Sequence, residues 1–75
     1  MYKISYAPFH LQVIEKNLTK VQISKETGIA LNTFVRMKHN QEVSLRVIAQ
    51  LCEYLNCNIE DIVRIDIVDD VTVEN

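Results

Sequence analysis

Between residues 9 and 62 the apolar positions recur at three- and four-residue intervals, while at both ends of the chain they alternate. Phe9, Val13 and Ile14 follow Pro8, a residue suited to a helix's first turn, and predict a first helix over roughly residues 8–16. Asn17 comes next, and asparagine can take the left-handed conformation that closes a helix. Thr19-Lys20-Val21-Gln22 has capping-box form, the Thr19 hydroxyl accepting from the Gln22 amide while the Gln22 side chain reaches back. It predicts a second helix running to Glu26 or Thr27, with Ile23 inward. Gly28, the only glycine in the chain, marks a sharp turn, because glycine alone takes positive φ freely. Ile29 follows as a core anchor. A third helix spans Leu31 to Lys38, turning Phe34 and Met37 inward and Leu31, Asn32, Val35 and Arg36 outward, and Asn40 ends it. Ser44 caps a fourth, Leu45 to Leu55, with a core stripe of Leu45, Ile48, Cys52 and Leu55 and with Asn56 closing it. Asn58 caps a fifth, short helix from Ile59 to about Arg64, its first turn carrying Glu60 and Asp61 where the helix dipole favours acids. Residues 2–6 alternate as a strand, and the β-branched tail 65–73 reads as one or two strands for which 2–6 is the natural partner.

These elements make an all-α, five-helix domain with short terminal strands, its core over 7–64 and its tail over 65–75. At 75 residues there is room for one domain with a modest core, which gains from oligomerising. A hydrophobic share of 48% against 24% charged residues is the balance of a folded protein rather than a disordered one. No apolar run approaches the length of a membrane span, and the N-terminus lacks a signal-peptide stretch, so a cytoplasmic location is expected. Cys52 and Cys57 stand at neither redox-pair nor zinc-ligand spacing and read as a small buried hydrophobe and a helix-end residue. His10 and His39 are placed beside neither a cysteine nor a carboxylate pair, so nothing supports catalysis, and no metal, cofactor or small-molecule ligand is implied. Asp69-Asp70 reads as a solubilising pair in the tail.

The net charge of −2 taken whole argues against a polyanionic partner, but the charge is segregated. Residues 16–46 carry Lys16, Lys20, Lys25, Arg36, Lys38 and Arg46 against Glu26 and Glu42, a net of +4. Residues 53–75 carry seven acids against Arg64 alone, a net of −6. Such a dipolar chain can present one face to phosphates and turn the other away.

The interval from Thr19 to Asn40, a capped helix, a glycine turn and a short second helix, is that of a helix-turn-helix. The second helix of such a unit enters a major groove about 12 Å wide while the first crosses the phosphate backbone. The stretch from Thr19 through Gly28 to Lys38, together with Ser44-Leu45 and Leu51 to Ile62, resembles the Xre-type, lambda-repressor-like helix-turn-helix family over about residues 7–64. The resemblance implies a five-helix fold and sequence-specific binding of double-stranded DNA in transcriptional control, as a repressor acting by occupancy. It departs from the family at three positions. Lys20 replaces the usual glutamine after the cap, Ala30 the usual Ser or Thr cap of the recognition helix, and Leu31 a glutamine that often reads adenine.

Asn32 is the leading candidate to read a base, since its amide can pair bidentately with adenine, and Arg36 lies one turn on to reach guanine or a phosphate. The plain alternatives are a solvated or capping asparagine and an arginine paired with Glu42. Leu31 can contact only a thymine methyl or exclude water, and Thr33 and Val35 flank the same face. Thr19 and Lys20 at the second helix's N-terminus suit a phosphate. The resemblance adds Lys38, His39 and Asn40 to the phosphate set. One helix reads few bases, so useful specificity calls for a homodimer on a palindrome with half-sites about 34 Å apart. Its interface is sought in the tail or, second, in a Val47, Leu51, Tyr54 stripe on the fourth helix. The rival reading is a protein-interaction module on the same fold, an antitoxin or assembly adaptor.

Overall fold

The computed structural model describes residues 1–68. Four α-helices run in the order α1 (Ala7–Glu15), α2 (Lys20–Thr27), α3 (Leu31–Lys38) and α4 (Leu45–Leu55), flanked by strands β1 (Tyr2–Ser5) and β2 (Arg64–Ile67). The third and fourth helices have the bounds expected from their caps, and the first is displaced by one residue toward the N-terminus. Three helices close alike. Asn17, Asn40 and Asn56 take φ values of 56°, 58° and 55°. Behind each, the next amide turns back to a carbonyl five residues earlier: Leu18 to Val13, Gln41 to Arg36 and Cys57 to Cys52, at 2.9, 2.9 and 3.0 Å. These bonds satisfy carbonyls that the helix ends would otherwise leave unpaired.

The fifth helix is shorter than expected. It is a 3₁₀ turn of three residues, Ile59–Asp61, in which the Asp61 carboxylate accepts from the Asn58 amide at 3.2 Å. It cannot lengthen, because Ile62 is drawn fully into the core and Arg64 already pairs with Ser5 in the sheet. The fold is thus four α-helices and a 3₁₀ turn, not five α-helices.

One core collects Tyr6, Phe9, Val13, Ile23, Ile29, Phe34, Met37, Ile48, Leu51, Leu55 and Ile62 from every helix. Phe9 and Phe34 stack at its centre, with ring centroids 5.9 Å apart and planes within 10°. Each fully buried side chain of this size contributes roughly 1.5–3 kcal/mol. On α4 the stripe differs from the expected one. Leu51 is fully buried, Cys52 lies half-buried beside it, and Leu45 in the first turn is 75% exposed. The buried set, Ile48, Leu51 and Leu55, keeps the three- and four-residue spacing, but its phase is set by the residue between Ile48 and Leu55 that faces α1–α3. The alternative stripe of Val47, Leu51 and Tyr54 is largely spent on this packing, and the Tyr54 hydroxyl donates to Glu26 Oε1 at 2.6 Å.

The terminal strands pair antiparallel as expected, Tyr2 with Ile67 and Ile4 with Ile65. Residues opposite one another share a face. Tyr2, Ile4, Ile65 and Ile67 therefore stand on one side of the ribbon and Lys3, Ser5, Arg64 and Asp66 on the other. Only Ile4 of the apolar four is partly covered by the core. The expected second tail strand and the Asp69-Asp70 pair lie outside the described residues.

A candidate nucleic-acid interface

The turn between α2 and α3 is fixed by more than its glycine. Thr19 accepts from the Gln22 amide at 3.1 Å and starts α2. Gly28 takes φ 81° and returns its amide to Ser24 O. The Ser24 hydroxyl then donates to Ile29 O at 2.5 Å, and the Thr27 hydroxyl donates to Ile23 O at 2.7 Å while accepting from the Ile29 amide at 3.2 Å. From sequence Ser24 is a small residue that lets the helices approach. In the structure both hydroxyls are hydrogen-bonded to the turn, a role that residue size does not reveal.

Ala30 begins α3 with no side-chain cap. Phe34 and Met37 seat the helix in the core, leaving Leu31, Asn32, Val35, Arg36 and Lys38 on its exposed side and Thr33 half-covered. Leu31 and Val35 are 49% and 51% exposed, so this face is a mixture of apolar and polar groups. Arg36 donates from Nη2 to the Glu42 carbonyl at 2.8 Å, bracing the loop after α3 through its backbone rather than pairing with the Glu42 carboxylate. Asn40 uses its side-chain oxygen to accept from the Tyr6 amide at 3.4 Å, and the Tyr6 hydroxyl donates to Gln41 O at 2.8 Å. That loop is therefore tied twice to Tyr6, the residue between β1 and α1. His39 is exposed at the end of α3.

Lys20 and Lys38, although 18 residues apart, line two adjoining grooves together. One, of about 280 Å³, is completed by Leu31, Phe34 and Val35. The other, of about 400 Å³, is completed by His10, Val13 and Ile14 of α1. Burial, and then the Lys20 charge, push the His10 pKa below the ordinary histidine value, while the Met37 carbonyl facing the ring acts the other way. Elsewhere, Glu26 and Glu53 share a separate groove with Tyr54. Lys16, counted among the basic residues of the central segment, turns its Nζ to Leu55 O at 3.0 Å and terminates α4. In space, Lys20 and Lys38 stand beside α3's exposed face, while Glu26 and Glu53 line a different groove.

Residues 12–66 match the family model for the Cro/C1-type helix-turn-helix DNA-binding domain. The chain belongs to that family. Its helix-turn-helix is α2, the Gly28 turn and α3, and its family is the one anticipated from residues 19–38. Among solved structures, the transcriptional regulator VanUg (crystal form II) is similar: 31% identical, with a TM-score of 0.79 and 85% of each chain covered. The comparison with curated proteins gives no match. In this chain α3 starts at Ala30 without a side-chain cap, and Leu31 stands exposed in its first turn. Among the described residues no helix is long and apolar enough to cross a membrane.

Proposed function

We propose that the protein is a sequence-specific transcriptional repressor that acts in the cytoplasm by occupying its operator, without catalysis. The observation that carries this reading is the joint exposure of Asn32, Arg36 and Lys38 on α3, with Lys20 of α2 lining a groove together with Lys38, in a chain of the Cro/C1 type. Asn32 has the chemistry to read adenine, and Arg36 guanine or a phosphate. Leu31, Thr33 and Val35 would line the base edges, with Leu31 and Val35 suited to thymine methyls. Thr19, Lys20, Lys38, His39 and Asn40 are the phosphate set. The Thr19 hydroxyl, already accepting from Gln22, keeps its hydrogen free to donate, and Asn40 keeps its amide NH₂.

A homodimer on a palindromic site follows from the few bases one helix reaches. The ribbon face of Tyr2, Ile65 and Ile67 is the interface we favour, since it is apolar and exposed while the α4 stripe is largely covered.

A second reading, docking of a protein partner on the same helices, is favoured by the exposed apolar trio Val21, Leu31 and Val35. Salt titration separates the two. Binding to phosphates releases counterions, so affinity for a duplex should fall steeply with salt, with a log–log slope of roughly −0.9 per phosphate neutralised. A salt-insensitive association through the apolar trio would contradict the DNA reading.

A further inference from the structure

The groove between α1 and the helix-turn-helix is lined by three basic side chains from three elements: His10 of α1, Lys20 at the start of α2 and Lys38 at the end of α3. Its other walls are Val13 and Ile14, and none of its lining residues is acidic. At about 400 Å³ it is open to solvent-borne ligands, and through Lys20 and Lys38 it adjoins the groove beside α3's exposed face. Lys20 and Lys38 make no ion pair among the described residues. A groove that gathers positive charge without a carboxylate leaves that charge to an outside anion, and its apolar walls suit the sugar of a nucleic-acid backbone.

We infer that His10, Lys20 and Lys38 form one cradle for a DNA backbone phosphate, and that His10 takes up a proton as the complex forms. The inference rests on the DNA-binding reading above and adds to it a contact from α1 and a pH dependence. The groups that face His10 are Lys20 from α2, Lys38 and the Met37 carbonyl from α3, and Phe9 on its own helix, whose ring lies 5.5 Å away at 57°. A neutral imidazole keeps one donor nitrogen, which the nearby Met37 backbone favours. In the neutral ring the other nitrogen is itself an acceptor, and a phosphate oxygen beside it is repelled until that nitrogen is protonated. In the free protein, burial and Lys20 keep the ring neutral near neutral pH. A phosphate in the cradle offsets the Lys20 charge and favours the imidazolium, so the complex binds a proton that the free protein does not. Affinity must then rise as pH falls toward the free ring's pKa.

The test is fluorescence anisotropy of the full chain on a mixed-sequence duplex of about 20 base pairs, since phosphate contacts do not need a particular sequence. It is run at constant ionic strength between about pH 8 and pH 5.5, with thermal melts confirming that each variant is folded across the range. The wild type should tighten by up to about tenfold on acidification, the effect of a pKa raised by one in the complex. His10→Gln should abolish the rise. His10→Lys, with a fixed charge, should bind more tightly than wild type at pH 8 and show no rise. A rise that survives His10→Gln, or a wild-type affinity without pH dependence, would overturn the cradle while leaving the DNA reading intact. Absence of duplex binding at every pH would overturn both.

Discussion

The Ser24 hydroxyl donates to the Ile29 carbonyl across the turn that joins α2 to α3. The bond spans Gly28 and satisfies a carbonyl whose residue is buried, so removing the donor leaves an acceptor without a partner at the centre of the helix-turn-helix. Ser24→Ala should therefore cost about 1–3 kcal/mol. Gly28→Ala should cost about 1–2 kcal/mol for a different reason: the backbone sits at φ 81°, although a Cβ there would meet nothing within 4 Å. Chemical denaturation of both variants measures the two costs. Gly28→Asn, a residue that tolerates the left-handed region, should recover part of the second cost; a Gly28→Asn as unstable as Gly28→Ala would contradict the conformational explanation.

Asn32 and Arg36 are expected to separate on stability. Asn32 is exposed and makes no side-chain hydrogen bond among the described residues. Arg36 braces the Glu42 carbonyl. Asn32→Ala should leave the melting temperature unchanged, while Arg36→Ala should lower it through the loosened loop by a few degrees, as a loss of roughly 1 kcal/mol does in a domain this small. Differential scanning fluorimetry checks the pair, and equal melting temperatures would show that the Arg36 brace contributes nothing.

Acid should weaken the fold through His10. Burial and Lys20 hold its pKa below the unfolded value. As pH falls through about 6.5 the unfolded chain takes up a proton that the folded chain refuses, and stability is lost there until the lowered folded value is passed. Urea melts at about pH 7.5 and pH 5.5 should show a drop in stability that His10→Gln makes smaller. An equal drop in the two proteins would remove His10 from the acid response. DNA should oppose this loss, because the same proton that the free fold rejects is taken up in the complex.

The ribbon face gives a direct expectation for assembly. Ile67 is 79% exposed, so Ile67→Lys should barely change the stability of one chain. A charge there is costly once the face is covered by a second copy. Light scattering should report half the wild-type mass for the variant. An unchanged mass would place the dimer contact elsewhere or show that there is none.

Much of this architecture was legible in the sequence because local signals carry it. The three asparagines, Gly28, Thr19 and Ser44 act within a few residues of themselves, and each does in the structure what its side chain suggests. The phase of α4 was misread because Leu45, Ile48, Cys52 and Leu55 and the alternative through Leu51 both satisfy helical spacing. Only the position of the other helices decides between them. The 3₁₀ turn was overestimated because Asn58, Glu60 and Asp61 announce a helix start, whereas its end is imposed by the pairing of Arg64 with Ser5, 59 residues away. For the candidate site, the exposed face of α3 could be read from Phe34 and Met37 alone. The convergence of His10 with Lys20 and Lys38 could not, since no spacing rule brings α1 to that groove. The hydroxyl bonds of Ser24 and Thr27 were hidden for the same reason that Tyr6 was: each binds a backbone carbonyl, and any sequence supplies one.

The most direct test of the account is selection of duplexes from a random-sequence pool by the wild-type chain and by Asn32→Ala, at about 0.15 M salt where exposed charges are screened as in the cell. The wild type should enrich one palindromic motif. Asn32→Ala should retain DNA but lose preference at one position in each half-site, a discrimination of about 1–3 kcal/mol. Enrichment of no motif by the wild type, or of the same motif to the same degree by both proteins, would contradict base reading by α3.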